Sequence, residues 1–231
     1  MKIFQTEESF NLFLKNNKLE LDSDGNIIET EMVGVIPEIL EKWFQERKEF
    51  RALAKKYAKE KNTAQYNFYN QRQMVWKILL NSMYGVLGLS IFRFYDVDNA
   101  AAVTTSGVTI IQSTAKAINQ YYMNQLEVTS GDWVVYTDTD SCFVDAAPII
   151  KKRLPDIDLN DETAMTDAIM KVADEVQSFV NRFYDVMAYR IFNIQKHGFE
   201  AKQEVISKTS FWLAKKRYCQ WVIHKEGRLL D

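Results

Sequence analysis

Five consecutive residues, Thr137-Asp138-Thr139-Asp140-Ser141, stand between the apolar runs Trp133-Val134-Val135-Tyr136 and Phe143-Val144. Two carboxylates one residue apart at a tight turn between strands are hard oxygen ligands on a rigid tip, and they suit Mg²⁺. The same residues also make an ordinary hairpin turn, because Asp and Thr side chains bond their own backbone. A second set lies upstream. Arg47, Arg51 and Lys55 recur every four residues, while Lys77, Asn81 and Tyr84 stand at i, i+4 and i+7, so each trio shares one helical face. Cations beside an amide and a flat ring suit a nucleoside triphosphate, with charge-assisted bonds to phosphate and a surface for base and sugar. A Lys/Arg stripe also serves as a plain solvated face, and a lone tyrosine also serves as core.

These groups need elements to carry them. Pro37 and Glu38 make a helix start, and helix formers continue over residues 37–61. Asn62-Thr63 breaks the run, and a second helix is expected over about 64–85, giving an antiparallel pair. Residues 1–36 read as a partly irregular lead-in with a hairpin, Leu19-Glu20-Leu21 and Ile27-Ile28 flanking the turn Asp22-Ser23-Asp24-Gly25-Asn26. A third helix, about 98–126, carries Val103, Ile110, Ile111, Ala117, Ile118 and Tyr121, and its charge-poor first half is expected to be buried. After the two-aspartate hairpin comes a polar link through Pro148 and Pro155. A fourth helix starts near Asn160-Asp161-Glu162, shows Ile169, Val172, Val176, Phe179, Val180, Phe183, Met187 and Ile191, and is expected to stop at Lys196-His197-Gly198. Residues 201–207 and 211–224 read as strands. The pattern describes an α+β body, an antiparallel sheet backed by helices.

Composition narrows the class only a little. The 231 residues are 47% hydrophobic and 26% charged, which excludes disordered and collagen-like chains. A net charge of -2 neither announces nor excludes a nucleic-acid binder, since a phosphate feels a local basic face. Cys142, Cys219, His197 and His224 are too few and too scattered for zinc, and both thiols are expected to be reduced and mostly buried, as suits the cytosol. The first residues carry acids where a signal peptide needs an apolar core. The longest uncharged run, 99–115, is polar-studded and shorter than the ~20 apolar residues of a membrane span. No membrane association is expected.

The wording of three segments goes further. Lys77-Ile78-Leu79-Leu80-Asn81-Ser82-Met83-Tyr84-Gly85 resembles motif B of the family B DNA polymerases, a Lys, three residues, Asn-Ser, one residue, Tyr-Gly. Tyr136-Thr137-Asp138-Thr139-Asp140-Ser141 resembles their motif C, with Thr137 where Gly is commoner. Lys215-Lys216-Arg217-Tyr218 resembles the Lys-Lys-Arg-Tyr element that follows it. The runs Ile91-Phe92-Arg93-Phe94-Tyr95-Asp96 and Gln45-Glu46-Arg47-Lys48-Glu49 are most similar to polymerases of T-even-type bacteriophages. The resemblance covers about residue 36 onward and leaves the first 35 unassigned.

It implies a two-helix fingers hairpin over 37–86 and a palm portion over 87–231, together an incomplete polymerase fold. Asp138 and Asp140, with Asp140 ranked first, would organise two Mg²⁺ ions, and Glu204 resembles a further palm carboxylate. Arg47, Lys77 and Arg51 would meet the phosphates of a deoxynucleoside triphosphate, and Asn81 and Tyr84 would border the nascent base pair. Lys215, Lys216 and Arg217 would meet the backbone of primer-template DNA, with Tyr218 a packing residue or a minor-groove contact.

The family's motif A, which supplies another metal-binding aspartate and contains Tyr-Pro, has no counterpart: Pro37, Pro148 and Pro155 follow Ile36, Ala147 and Leu154. Nor is there a counterpart of the proofreading nuclease region or the thumb. The expectation is therefore a chain inactive alone, completed by a partner polypeptide that brings motif A and the nuclease region, in the cytoplasm of an infected bacterial host. Such a subunit is expected to expose an apolar surface on its palm sheet. The alternative is an inactive remnant that binds nucleotide or DNA.

Overall fold

The computed structural model describes residues 6–158, 161–225 and 228–230. The chain forms two compact units, divided between Thr105 and Ser106.

The first unit opens with helix α1 (Glu7–Asn16), which the lead-in reading did not anticipate. Its signal was Thr6 and Ser9, which cap the helix reciprocally: the Thr6 hydroxyl accepts the Ser9 N–H at 3.1 Å, and the Ser9 hydroxyl accepts the Thr6 N–H at 3.3 Å. The hairpin follows as read, β1 (Leu19–Leu21) against β2 (Ile27–Glu29). Its turn is closed by the Asp22 carboxylate, which accepts the backbone N–H groups of Asp24 and Asn26 at 2.9 and 2.8 Å.

Helices α2 (Val35–Lys59) and α3 (Thr63–Leu87) form the hairpin of helices. Pro37 lies at the third helical position, where its missing N–H costs nothing because the first turn has no intrahelical acceptor. The Asn62 side chain caps α3 by accepting the Gln65 N–H at 3.2 Å. Ring pairs Trp43–Trp76 at 5.5 Å and Phe50–Tyr69 at 6.2 Å fix the antiparallel register, since partner numbers fall on one helix as they rise on the other. The Arg72 guanidinium sits 4.6 Å from the Phe68 ring and 5.7 Å from that of Phe50.

Asp96 caps α4 (Val97–Leu126), its carboxylate accepting the N–H groups of Asp98 and Asn99 at 3.1 and 3.0 Å. The expected burial of the first half of α4 is not found: Val97, Val103 and Val108 are exposed, and the buried residues are Thr114, Ala117, Ile118 and Tyr122. The apolar core of the second unit takes α4 from Ile110 onward. Absence of charge marks tolerance of burial, not a partner that supplies it.

The second unit continues from α4 into β3 (Val134–Asp138) and β4 (Ser141–Val144), then α5 (Ala147–Arg153) and α6 (Glu162–Phe192). The polar link is thus corrected to a helix with Pro148 in its first turn, held down by buried Ile149 and Ile150. Ile118 and Tyr122 join them with Ala168, Val172, Val180, Tyr184, Met187 and Phe192 in one apolar core. Asp161 caps α6 by accepting the Thr163 and Ala164 N–H groups at 3.0 Å, while Asn160 lies outside the described residues. The helix ends at Phe192, before the basic turn, because Asn193 takes a left-handed φ of 54° and the Ile194 N–H closes back on the Ala188 carbonyl at 3.0 Å.

Strands β5 (Val205–Ala214), β6 (Arg217–Lys225) and β7 (Arg228–Leu229) form an antiparallel sheet separate from the β3–β4 pair. Residues 201–204 are not strand. Ala201 and Gln203 instead donate their N–H groups to the Asn181 and Gln177 side chains of α6, both at 2.7 Å, so their backbone is satisfied without a ladder. The expected second strand is split, because its start belongs to β5 and its centre is the turn at Lys215 and Lys216. One face of β5 and β6 exposes Phe211, Leu213 and Trp221, and Cys219 is exposed as well, contrary to the expectation for both thiols. Cys142 is half-buried, and that burial raises its thiol to a pKa of about 11. The architecture is α+β.

Arg153 of α5 clasps Glu175 of α6 with two bonds of 2.9 and 2.8 Å, and the Tyr121 hydroxyl of α4 donates to the same carboxylate at 2.9 Å. Arg153, then Tyr121, hold the Glu175 carboxyl below its usual pKa. A lowered folded-state pKa stabilises above the unfolded carboxylate range and is lost as pH falls through it. Glu175→Gln should therefore cost up to about 1 kcal/mol at neutral pH, the ceiling for a solvent-screened pair. Urea unfolding at neutral and acidic pH should show the difference from wild type shrinking on acidification.

Candidate active site

The tip of the β3–β4 hairpin is a two-residue turn, Thr139-Asp140, between the paired residues Asp138 and Ser141. Thr139 takes the left-handed φ of 56°, and the Asp140 N–H and the Ser141 hydroxyl close on the Asp138 carbonyl at 2.6 and 3.0 Å. Thr137, where glycine is commoner in the resembled motif, lies in the strand opposite Cys142 and carries no left-handed backbone. A β-branched residue is well suited there. Asp138 is half-buried and Asp140 is exposed.

The second hairpin, β5–β6, turns at Lys215 and Lys216, with Lys216 at a φ of 61°. Its tip meets that of the first. The Lys216 N–H donates to the Tyr136 hydroxyl at 2.8 Å, and Lys216 Nζ lies 3.1 Å from Asp138 Oδ1 and 3.2 Å from Oδ2. Behind this contact, Tyr136 and Phe143 pack with Trp212 and Tyr218, the closest centroids being Trp212–Tyr218 at 4.6 Å and Phe143–Trp212 at 4.8 Å.

The neighbours divide the two aspartates chemically. The Lys216 ammonium, joined by the Thr139 hydroxyl, pulls the Asp138 carboxyl below its ordinary pKa, and Asp138 in turn raises that of Lys216. The Thr139 hydroxyl donates to Asp138 Oδ1 at 3.1 Å. Lys215 and Arg217 are exposed, and Tyr218 is a ring-cluster member that keeps 39% of its surface open. Glu204 is exposed just before β5. Among the described residues no three His, Cys, Asp or Glu side chains form a group able to hold a metal ion. The donor type of Asp138 and Asp140 fits a hard divalent cation such as Mg²⁺, and their number leaves room for ligands from elsewhere.

In the first unit, Arg47 of α2 is half-buried, and its Nε has no hydrogen-bond partner among the described residues. Burial and then the charge of Arg51 lower its pKa. Arg51 and Lys55 are exposed, as are Lys77, Asn81 and Tyr84 on α3. The α3 trio shares a face, while Trp76 next to it turns to α2.

Residue reading alone assigned no role to Tyr136, Phe143 and Trp212, and did not join Lys216 to Asp138. Alternation was the available signal: Tyr136 and Asp138 are two apart on one strand and so share a face.

The sequence matches the family model described as DNA polymerase family B over residues 5–229, which extends the resemblance into the lead-in. It is similar to the DNA-directed DNA polymerase of Escherichia phage RB69, 34% identical over 160 residues that make up 65% of this chain and 18% of that protein. It is similar to the corresponding enzyme of Enterobacteria phage T4, 32% identical over 171 residues, 69% of this chain and 18% of that one. The DNA polymerase alpha catalytic subunit of Mus musculus is 27% identical over 191 residues, 83% of this chain and 10% of that subunit. The chain thus spans a minor part of each relative's length.

Tyr136→Phe keeps the ring and removes the acceptor of the Lys216 N–H. Loss of one such bond, about 1 kcal/mol, should speed exchange of the Lys216 amide about fivefold with the fold intact. Unchanged protection would show that the bond does not fix the turn.

Proposed function

The chain belongs to DNA polymerase family B, and from that premise we propose that it is the fingers and carboxyl-terminal palm portion of a DNA-directed DNA polymerase, extending a primer 3′-hydroxyl with deoxynucleotides. The observation that carries the proposal is the docking of the two-aspartate tip on a basic turn 78 residues away. One hairpin supplies the negative charge that metal-assisted phosphoryl transfer requires, and the other supplies cations for a nucleic-acid backbone.

The roles follow from side-chain chemistry. Asp138 and Asp140 hold two carboxylates on a backbone already closed by its own hydrogen bonds, so the turn itself need not rearrange to carry them. Two Mg²⁺ ions bound there would stabilise the attacking and leaving oxygens of an in-line displacement. Glu204 is proposed as an accessory palm carboxylate. Arg47, Arg51 and Lys77 are the phosphate contacts of the triphosphate, and Asn81 and Tyr84 border the new base pair. Lys215, Lys216 and Arg217 bind primer-template DNA through phosphates, independently of sequence and sensitively to salt.

A motif A segment has no counterpart in the 231 residues. We further propose that a partner polypeptide carries motif A and the proofreading nuclease region. Phage relatives support action in the cytoplasm of an infected bacterial host. Among the described residues no helix is long and apolar enough to cross a membrane.

Primer extension with Mg²⁺ and deoxynucleotides tests the proposal, comparing the chain alone, the chain with a motif A polypeptide, and the mixture with Asp140→Ala. Activity is expected only in the unmutated mixture. Asp140→Ala should lower turnover by at least about a hundredfold, the scale of losing a group that stabilises transition-state charge, with DNA binding unchanged. Activity in no combination would favour a remnant that binds nucleotide or DNA. In the active mixture, Lys77→Ala should raise the triphosphate concentration needed for half-maximal rate.

A further inference from the structure

The Lys216 ammonium caps both carboxylate oxygens of Asp138, at 3.1 and 3.2 Å, and the Thr139 hydroxyl donates to Oδ1 as well. The Lys216 side chain keeps 65% of its surface open, but its backbone is fixed in place. Its N–H is bonded to Tyr136, its φ is left-handed, and the ring cluster holds its hairpin against β3–β4. The Asp138 side chain keeps only 20% of its surface open. Asp140, two residues on, is exposed and is in no ion pair among the described residues.

We infer that Lys216 is a positioning residue that serves Asp138 as its counter-cation, competes with a divalent cation for that carboxylate, and so leaves Asp140 as the open ligand. The inference rests on the reading of Asp138 and Asp140 as metal carboxylates. It gives Lys216 a task distinct from phosphate contact: a built-in cation keeps the half-buried Asp138 carboxylate aimed, and any cation that uses it must displace the ammonium.

The test is Mn²⁺ binding to the 231-residue chain, with free Mn²⁺ measured by electron paramagnetic resonance at neutral pH and an ionic strength of about 0.15 M, where exposed charges are screened beyond about 8 Å. Lys216→Met should bind Mn²⁺ roughly tenfold more tightly, because a unit positive charge leaves contact distance of the ligand. Lys216→Arg keeps the cation and should show no gain. Lys215→Met removes an equal charge from the neighbouring exposed position and should change affinity by less than about twofold. A variant that merely loosens the tip would lower affinity, the opposite direction. Unchanged or weaker binding in Lys216→Met, or an equal gain in Lys215→Met, would overturn the inference. Asp140→Asn separates the layers: no effect on Mn²⁺ binding would sink the metal reading itself, whereas weakening there without a gain in Lys216→Met would sink only the role of Lys216.

Discussion

A two-stranded hairpin is at best marginal in water, and both groups of site residues in the second unit sit at hairpin tips. What makes the tips rigid is the packing of four rings, Tyr136 and Phe143 from one hairpin with Trp212 and Tyr218 from the other, at centroid separations from 4.6 to 5.9 Å. Ring pairs of this kind contribute about 0.5 to 1.5 kcal/mol each beyond the area they bury. The cluster lies one residue pair behind Asp138 and Lys216, so it delivers a carboxylate and an ammonium to contact without demanding that the ion pair hold the hairpins together. The electrostatic contact is the consequence and the apolar contact is the cause.

The other end of the β3–β4 hairpin is fixed by the helices. Trp133 stacks on fully buried Tyr122 at 5.5 Å, and its N–H is held by Asn119 of the same helix at 2.9 Å. Val134, Cys142 and Val144 pack against the core built by α4, α5 and α6. A strand pair anchored at its base and packed at its middle can present an exposed tip with little motion, which is what a pair of metal-binding carboxylates requires.

Charge on this chain is organised by neighbourhood, and the formal balance hides it. Two aspartates of identical chemistry diverge because one faces Lys216 and the other faces solvent. Arg47 and Arg51 also differ: one is half-buried, the other open on the same stripe.

Local order was legible in the sequence at most places where a few adjacent residues decide it, the capped helix α1 being an exception. The helix pair with its break at Asn62, the cap at Asp161, the hairpin around Asp22 and the two-aspartate turn all depend on residues within a few positions of one another. The motifs Lys77 to Tyr84, Tyr136 to Ser141 and Lys215 to Tyr218 were likewise readable, because their spacing is their content. The errors fell where a distant element decides. Residues 201–204 left the sheet because Asn181 and Gln177, 20 and 26 residues away, satisfied their backbone; the end of α6, by contrast, was set locally by Asn193 and not by the basic turn beyond it. The sequence by itself determined which residues could do chemistry and on which kind of element each would ride. Only the tertiary structure decided that Lys216 would reach Asp138 across 78 residues, since that pairing is selected by the burial of rings from two hairpins, and no local spacing encodes the free energy of such packing.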